Sequence, residues 1–146
     1  MITLETTTFI NRPQQEVFDF VSNPANDHKW QSNVKSKKWT SEDPHGVGST
    51  QHLVTRNMGR DMEQTAEIFL WDPPNQYKVK VVNGPFPFEG RMKFEPQENG
   101  TKVTMGGQAE AGGFFKIMEG LIKRQMESQL VANLEALKLL MEAGSE

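Results

Sequence analysis

The chain has 146 residues, 36% hydrophobic and 24% charged, with a formal net charge of −3 and no cysteine. That length and balance describe a single folded domain, 1–146, rather than a disordered chain, and the acidic balance leaves no basic field to hold nucleic acid. Without cysteine there is no disulfide frame, thiolate nucleophile or cysteine-based zinc site, and no apolar run reaches the about 18 residues of a membrane span. With no charged-then-apolar leader at the N-terminus, a cytoplasmic location is the expectation.

Thr3 to Ile10, rich in Thr and Ile, reads as a first strand. In "NRPQQEVFDFVSNP" Pro13 suits the first helical position and Glu16 favours the helix dipole. Val17, Phe18, Phe20 and Val21 give this helix an apolar side before Pro24 stops it. "ANDHKW" is a second short helix or turn ending near Trp30. Val34 to Thr40 is a weak strand, and Pro44, Gly46 and Gly48 mark "SEDPHGVG" as a loop. Ser49 to Asn57 and Arg60 to Trp71 form a hairpin about Met58-Gly59; "DPPN" turns the chain, and Tyr77 to Val82 returns as a strand.

After the bend "NGPFPF", Phe88, Gly90, Met92 and Phe94 alternate with Glu89, Arg91, Lys93 and Glu95. Val103 and Met105 alternate with Lys102 and Thr104, and Asn99-Gly100 between the two runs reads as a type I′ turn with both residues at positive φ. Period two means one dry and one wet face. From Phe114 the period becomes helical: Phe115, Met118, Ile122, Met126, Leu130, Leu134, Leu137 and Met141 recur at three- and four-residue spacing. The order is strand, two short helices, about six antiparallel strands and one long terminal helix. A sheet of that extent must curl to cover its apolar face, and only the terminal helix is long enough to fill it.

That order, with the residues at its joints, resembles the polyketide cyclase/dehydrase and lipid-transport group of the SRPBCC or START-like superfamily, with the helix-grip fold of the birch-pollen allergen. The resemblance rests on "INRPQQEVFDFVSNPANDHKW", "GVGST", "AEIFLWDPPNQYKV", "MKFEPQENGTKVT" and "LEALKLLME", which together touch nearly the whole chain. It implies an α+β fold: a seven-stranded antiparallel sheet curled around a long C-terminal helix, with two short helices after the first strand and an internal cavity that usually holds a hydrophobic ligand. Fold alone does not fix chemistry.

The three histidines, His28, His45 and His52, lack the spacing of a metal site, and neither a metal nor a cofactor is expected. His28 and His45 fall in polar loops, whereas His52 lies on a strand from which it could face the cavity. Asp61 and Glu63 share a strand face opposite Met62, Gln64, Ala66 and Ile68, so they read as solvated rather than as a catalytic dyad. "GVGSTQ" lacks a third glycine and precedes a strand, and no G-x-S-x-G elbow is present. The expected cavity lining is Trp30, Tyr77, Val79, Phe88, Met92, Phe94, Val103, Met105, Phe115, Met118, Ile122 and Met126. Eight methionines favour an adaptable wall, and Gly90, Gly107 and Ala109 would leave space beside it.

A lining without charge implies a ligand that is neutral or anchors any charge at the cavity mouth. The expected function is binding or carriage of a small hydrophobic or aromatic molecule by a monomer or homodimer. The alternative is a polyketide cyclase/dehydratase-type enzyme using the same cavity, with His52, Arg56 or Tyr77 orienting the substrate. A third possibility is a protein-interaction module that uses the outer face of the sheet.

Overall fold

The computed structural model describes residues 2–57, 59–84, 87–109 and 118–143. Strand β1 (Ile2–Ile10) is followed by helix α1 (Gln14–Ser22) and a 3₁₀ helix (Pro24–Lys29). Then come β2 (Val34–Trp39), β3 (Thr50–Asn57), β4 (Arg60–Asp72), β5 (Gln76–Asn83), β6 (Phe88–Gln97), β7 (Gly100–Ala109) and α2 (Glu119–Ala143). The strands form one seven-stranded sheet in the order β1-β7-β6-β5-β4-β3-β2, with every neighbouring pair antiparallel. This is the expected helix-grip architecture. Phe114 and Phe115, where the helical period begins in the sequence, lie outside the described residues.

Local chemistry accounts for the joints. Pro13 stands just outside α1, with φ −61° and ψ 147°, rather than at its first helical position, and its carbonyl accepts from Val17 N at 3.1 Å. Asn23 ends α1 and starts the 3₁₀ helix, its Oδ1 accepting from Ala25 N at 3.1 Å. Irregular register between Val34 and Ser36 in β2, and at two points in β4, bends the sheet.

The hairpin of β6 and β7 differs from expectation by one residue. Gln97 pairs with Gly100, so the turn is Glu98-Asn99, and the positive φ falls on Glu98 at 54°. Gly100 opens β7 and is required for a different reason. A Cβ there would collide with the Ile10 carbonyl and stand 2.6 Å from Phe9 Cζ on the adjoining strand.

The core gathers Ile10, Val17, Phe18, Val21, Ile68, Phe94 and Val103 against Leu134, Leu137 and Met141 of α2. Each fully buried aliphatic side chain contributes about 1.5–3 kcal/mol by transfer from water. The C-terminal end of α2 is tied to the β1–α1 corner. Arg12 donates from Nε to the Met141 carbonyl (3.0 Å) and from Nη2 to the Glu142 carbonyl (3.2 Å). These are carbonyls the helix itself leaves unpaired, and a cation is favoured beside them.

Candidate functional site

Strand pairing fixes which side chains face the helix. Ala66 and Ile68 are buried, and their partners Gln51, Val81 and Val79 share that concave face. Tyr77, Met92 and Met105 follow across β5, β6 and β7, as do Phe94 and Val103. The wet face is as expected: Asp61 pairs with Lys35 and Arg56 (both 2.9 Å), and Glu5 pairs with Arg91. His52 stands on this outer face, its Nε2 3.5 Å from Glu63, and Arg56 is there with it. Neither can orient a molecule held inside the sheet. His45, expected at the surface, is stacked on Trp39 at 3.8 Å between ring centroids.

The expected lining residues divide by depth. Trp30, Tyr77, Met92, Phe94 and Val103 are buried within the core cluster, while Val79, Phe88, Met105, Ile122 and Met126 are half-buried. Met118 is 41% exposed, and Phe115 is outside the described residues. Along the apolar stripe of α2 burial rises steadily toward the C-terminus. Ile122, Met126 and Leu130 are half-buried, whereas Leu134 and Leu137 retain 2% and 0% exposure. The sheet grips the second half of the helix tightly and its first half loosely.

The inward glycines serve a purpose other than the one expected. A Cβ on Gly107 would stand 2.8 Å from Phe88 Cζ, and one on Gly90 3.1 Å from Phe88 Cε1. The Phe88 ring therefore lies across both glycines, and the space they leave is its seat.

Several inward residues escape a period-two reading. The irregularity between Ile68 and Leu70 shifts β4 in phase, so Trp71 pairs with Tyr77 on the concave face. There Phe18 meets Trp71, Phe94 and Tyr77 edge-on at centroid distances of 5.5, 5.3 and 6.0 Å. Lys37 pairs with Leu53 on the same concave side, and its Nζ lies 2.8 Å from Oδ2 of the buried Asp27. Gln51, Thr55, Gln64 and Asn133 are also buried. The interior is thus not charge-free, contrary to the apolar pattern: β2, β3 and β4 bring Lys37, Gln51, Thr55 and Gln64 to the concave face among its apolar side chains.

Burial acts on the titrating groups of this interior. Desolvation raises the Asp27 carboxyl above the ordinary aspartate range, against the lowering pull of Lys37. Tyr77 is raised well above the ordinary phenol value, first by burial and then by the nearby Asp27 charge. Its hydroxyl donates to the Val21 carbonyl at 3.3 Å.

A curled antiparallel sheet closed by one long helix defines the helix-grip class. The chain belongs to the polyketide cyclase/dehydrase and lipid-transport family, whose family model matches residues 1–142. No curated protein matches it in sequence. Among solved structures it is similar to TTHA0849 from Thermus thermophilus, with a TM-score of 0.85 and 20% identity over 99% of both chains. It is also similar to a START superfamily protein from Mycobacterium smegmatis (TM-score 0.75, 15% identity, 97% of this chain and 99% of that one). A third likeness is to BexL, a di-domain ARO/CYC from the BE-7585A biosynthetic pathway (TM-score 0.76, 18% identity), covering 99% of this chain and 50% of BexL. At these identities the likeness is one of fold. No helix among the described residues is long and apolar enough to cross a membrane.

Proposed function

We propose that this protein binds and carries a small hydrophobic or aromatic molecule between the concave face of the sheet and the first half of α2, acting as one cytoplasmic ligand-binding domain. The carrying observation is the burial gradient. Val79, Phe88 and Met105 on the concave face of the sheet, and Ile122 and Met126 on the apolar stripe of α2, keep accessible surface, while Phe94, Val103, Leu134 and Leu137 are sealed. Inward-facing apolar side chains that stay accessible are the wall that a concave, largely preformed binding site needs. Methionine supplies two of these five side chains, and its flexible thioether accommodates varied shapes. Native mass spectrometry of the purified protein tests this directly: an adduct of small-molecule mass, released by organic solvent, is expected. A bare polypeptide mass that stays bare after incubation with aromatic compounds would refute it.

The likeness to BexL supports a second reading, in which the same site folds or dehydrates a polyketide-like chain. Asp27 and Tyr77 would then be the inward titrating groups available for proton transfer. Turnover of a poly-β-keto thioester separates the two: the carrier reading expects binding without product.

A further inference from the structure

Among the described residues, three buried side-chain polar atoms have no hydrogen-bond partner: Asp27 Oδ1, Trp30 Nε1 and Asn33 Oδ1. All fall in one short segment, at the end of the 3₁₀ helix and the entry to β2. Buried polar groups are normally paired, because leaving one bare costs its full desolvation, so three together call for a missing partner. Asp27 and Trp30 are three residues apart, and Trp30 N donates to the Asp27 carbonyl at 3.2 Å. Trp30 caps the 3₁₀ helix, so the two residues stand one turn apart at its end. Lys37, from the concave face of the sheet, already occupies the other carboxylate oxygen, Oδ2. Trp30 itself is part of the core cluster with Tyr77, Met92 and Phe94.

The unfilled set is one N–H donor and two acceptors. A carboxylate ligand would place its charge against the free oxygen of Asp27, and a ketone would satisfy the indole alone. A hydroxyl both accepts and donates. Resting on the reading of the interior as a ligand site, we propose that Asp27 and Trp30 form a polar anchor for an alcohol or phenol group, making the preferred ligand a hydroxylated hydrophobic molecule. The indole N–H donates to the hydroxyl oxygen, and the hydroxyl proton goes to Asp27 Oδ1. The desolvation that raises the Asp27 carboxyl would be relieved by that added donor.

The test compares β-naphthol with β-methylnaphthalene, near-isosteric probes that differ in the hydroxyl. Calorimetric titration at neutral pH uses the wild type, Trp30→Phe, and the double variant Asp27→Leu/Lys37→Met, which removes both charges of the pair together so that none is left buried alone. The expected result is a preference for naphthol of roughly tenfold or more in the wild type, as for hydrogen bonds to a charged group. It should shrink to within about twofold in each variant that keeps the wild-type circular dichroism; Trp30→Phe, which deletes the N–H and a net three ring atoms but adds no polar group, carries the test if the double variant fails to fold, and comparing the two probes within that variant cancels the effect of the lost volume. Equal binding of both probes to the wild type would overturn the anchor and leave the apolar site standing, the unpaired atoms then being met by water. A naphthol preference that survives in Trp30→Phe would overturn it as well. Binding of neither probe would overturn the anchor and the ligand-site reading together.

Discussion

Replacing Ile122 and Leu137 by alanine, one at each end of the same apolar stripe, separates a helix that roofs a ligand site from one that merely fills a core. Leu137 has no exposure, and removing three carbons from a packed leucine costs about 2.7–5.0 kcal/mol, transfer and cavity terms included. Ile122 is only partly exposed, so it loses most of the about 1.5–3 kcal/mol of full burial but leaves no sealed void, giving about 1–2 kcal/mol. Leu139, 68% exposed, is the control and should change stability by less than about 0.5 kcal/mol. In urea unfolding, with a slope of about 2 kcal/mol per molar, the midpoint should fall by about 1.5–2.5 M for Leu137→Ala and about 0.5–1 M for Ile122→Ala. Equal shifts for the two variants, at unchanged slope, would refute the reasoning: the first half of α2 would be packed as tightly as the second.

The turn assignment predicts that Glu98→Asn raises the melting temperature, since asparagine tolerates positive φ better than glutamate, and a lowered melting temperature would place the turn elsewhere; Gly100→Val should lower stability by at least about 1 kcal/mol through collision with β1, and an unchanged stability would contradict that close approach. Tyr77 is the single tyrosine in the sequence, so tyrosinate absorbance reports it alone. Its folded-state pKa is raised, so its contribution is fully present below the unfolded phenol value and is lost as pH climbs beyond it; alkaline titration should show tyrosinate only as the fold is lost. Glu142 is depressed, first by the Asn11 backbone N–H and then by Lys138, so its contribution is present above the ordinary carboxylate range and is lost as pH falls through the depressed value. Glu142→Gln should therefore flatten the acid limb of a stability–pH curve, and an unchanged limb would contradict the pairing.

Much of the architecture was legible because alternation and helical spacing are local. Thr3 to Ile10, the β6–β7 alternation and the stripe from Ile122 to Met141 each announce an element within about twenty residues. What escaped depends on partners far along the chain. The Asn99-Gly100 pair carries the ordinary turn signal, yet Gly100 is needed for its approach to Ile10 and Phe9. Trp71 faces inward because β4 loses phase before it, a shift visible only against β5. Nothing in the local pattern singles out Lys37 or Asp27, which the bend in β2 and the 3₁₀ helix bring together inside. Phe88 and its two glycines show the same limit, since small residues in a strand pattern signal close approach without saying what approaches.

The central claim is that a small apolar molecule enters between the sheet and the first half of α2. Isotope-labelled methionine methyl groups test it most directly, because Met105 and Met126 belong to the proposed wall while Met141 is buried at the opposite end of the helix. On titration with β-naphthol the Met105 and Met126 methyl resonances should shift progressively to saturation and Met141 should stay in place. No methyl shift, or a shift of Met141 with Met105 and Met126 unmoved, would contradict the account.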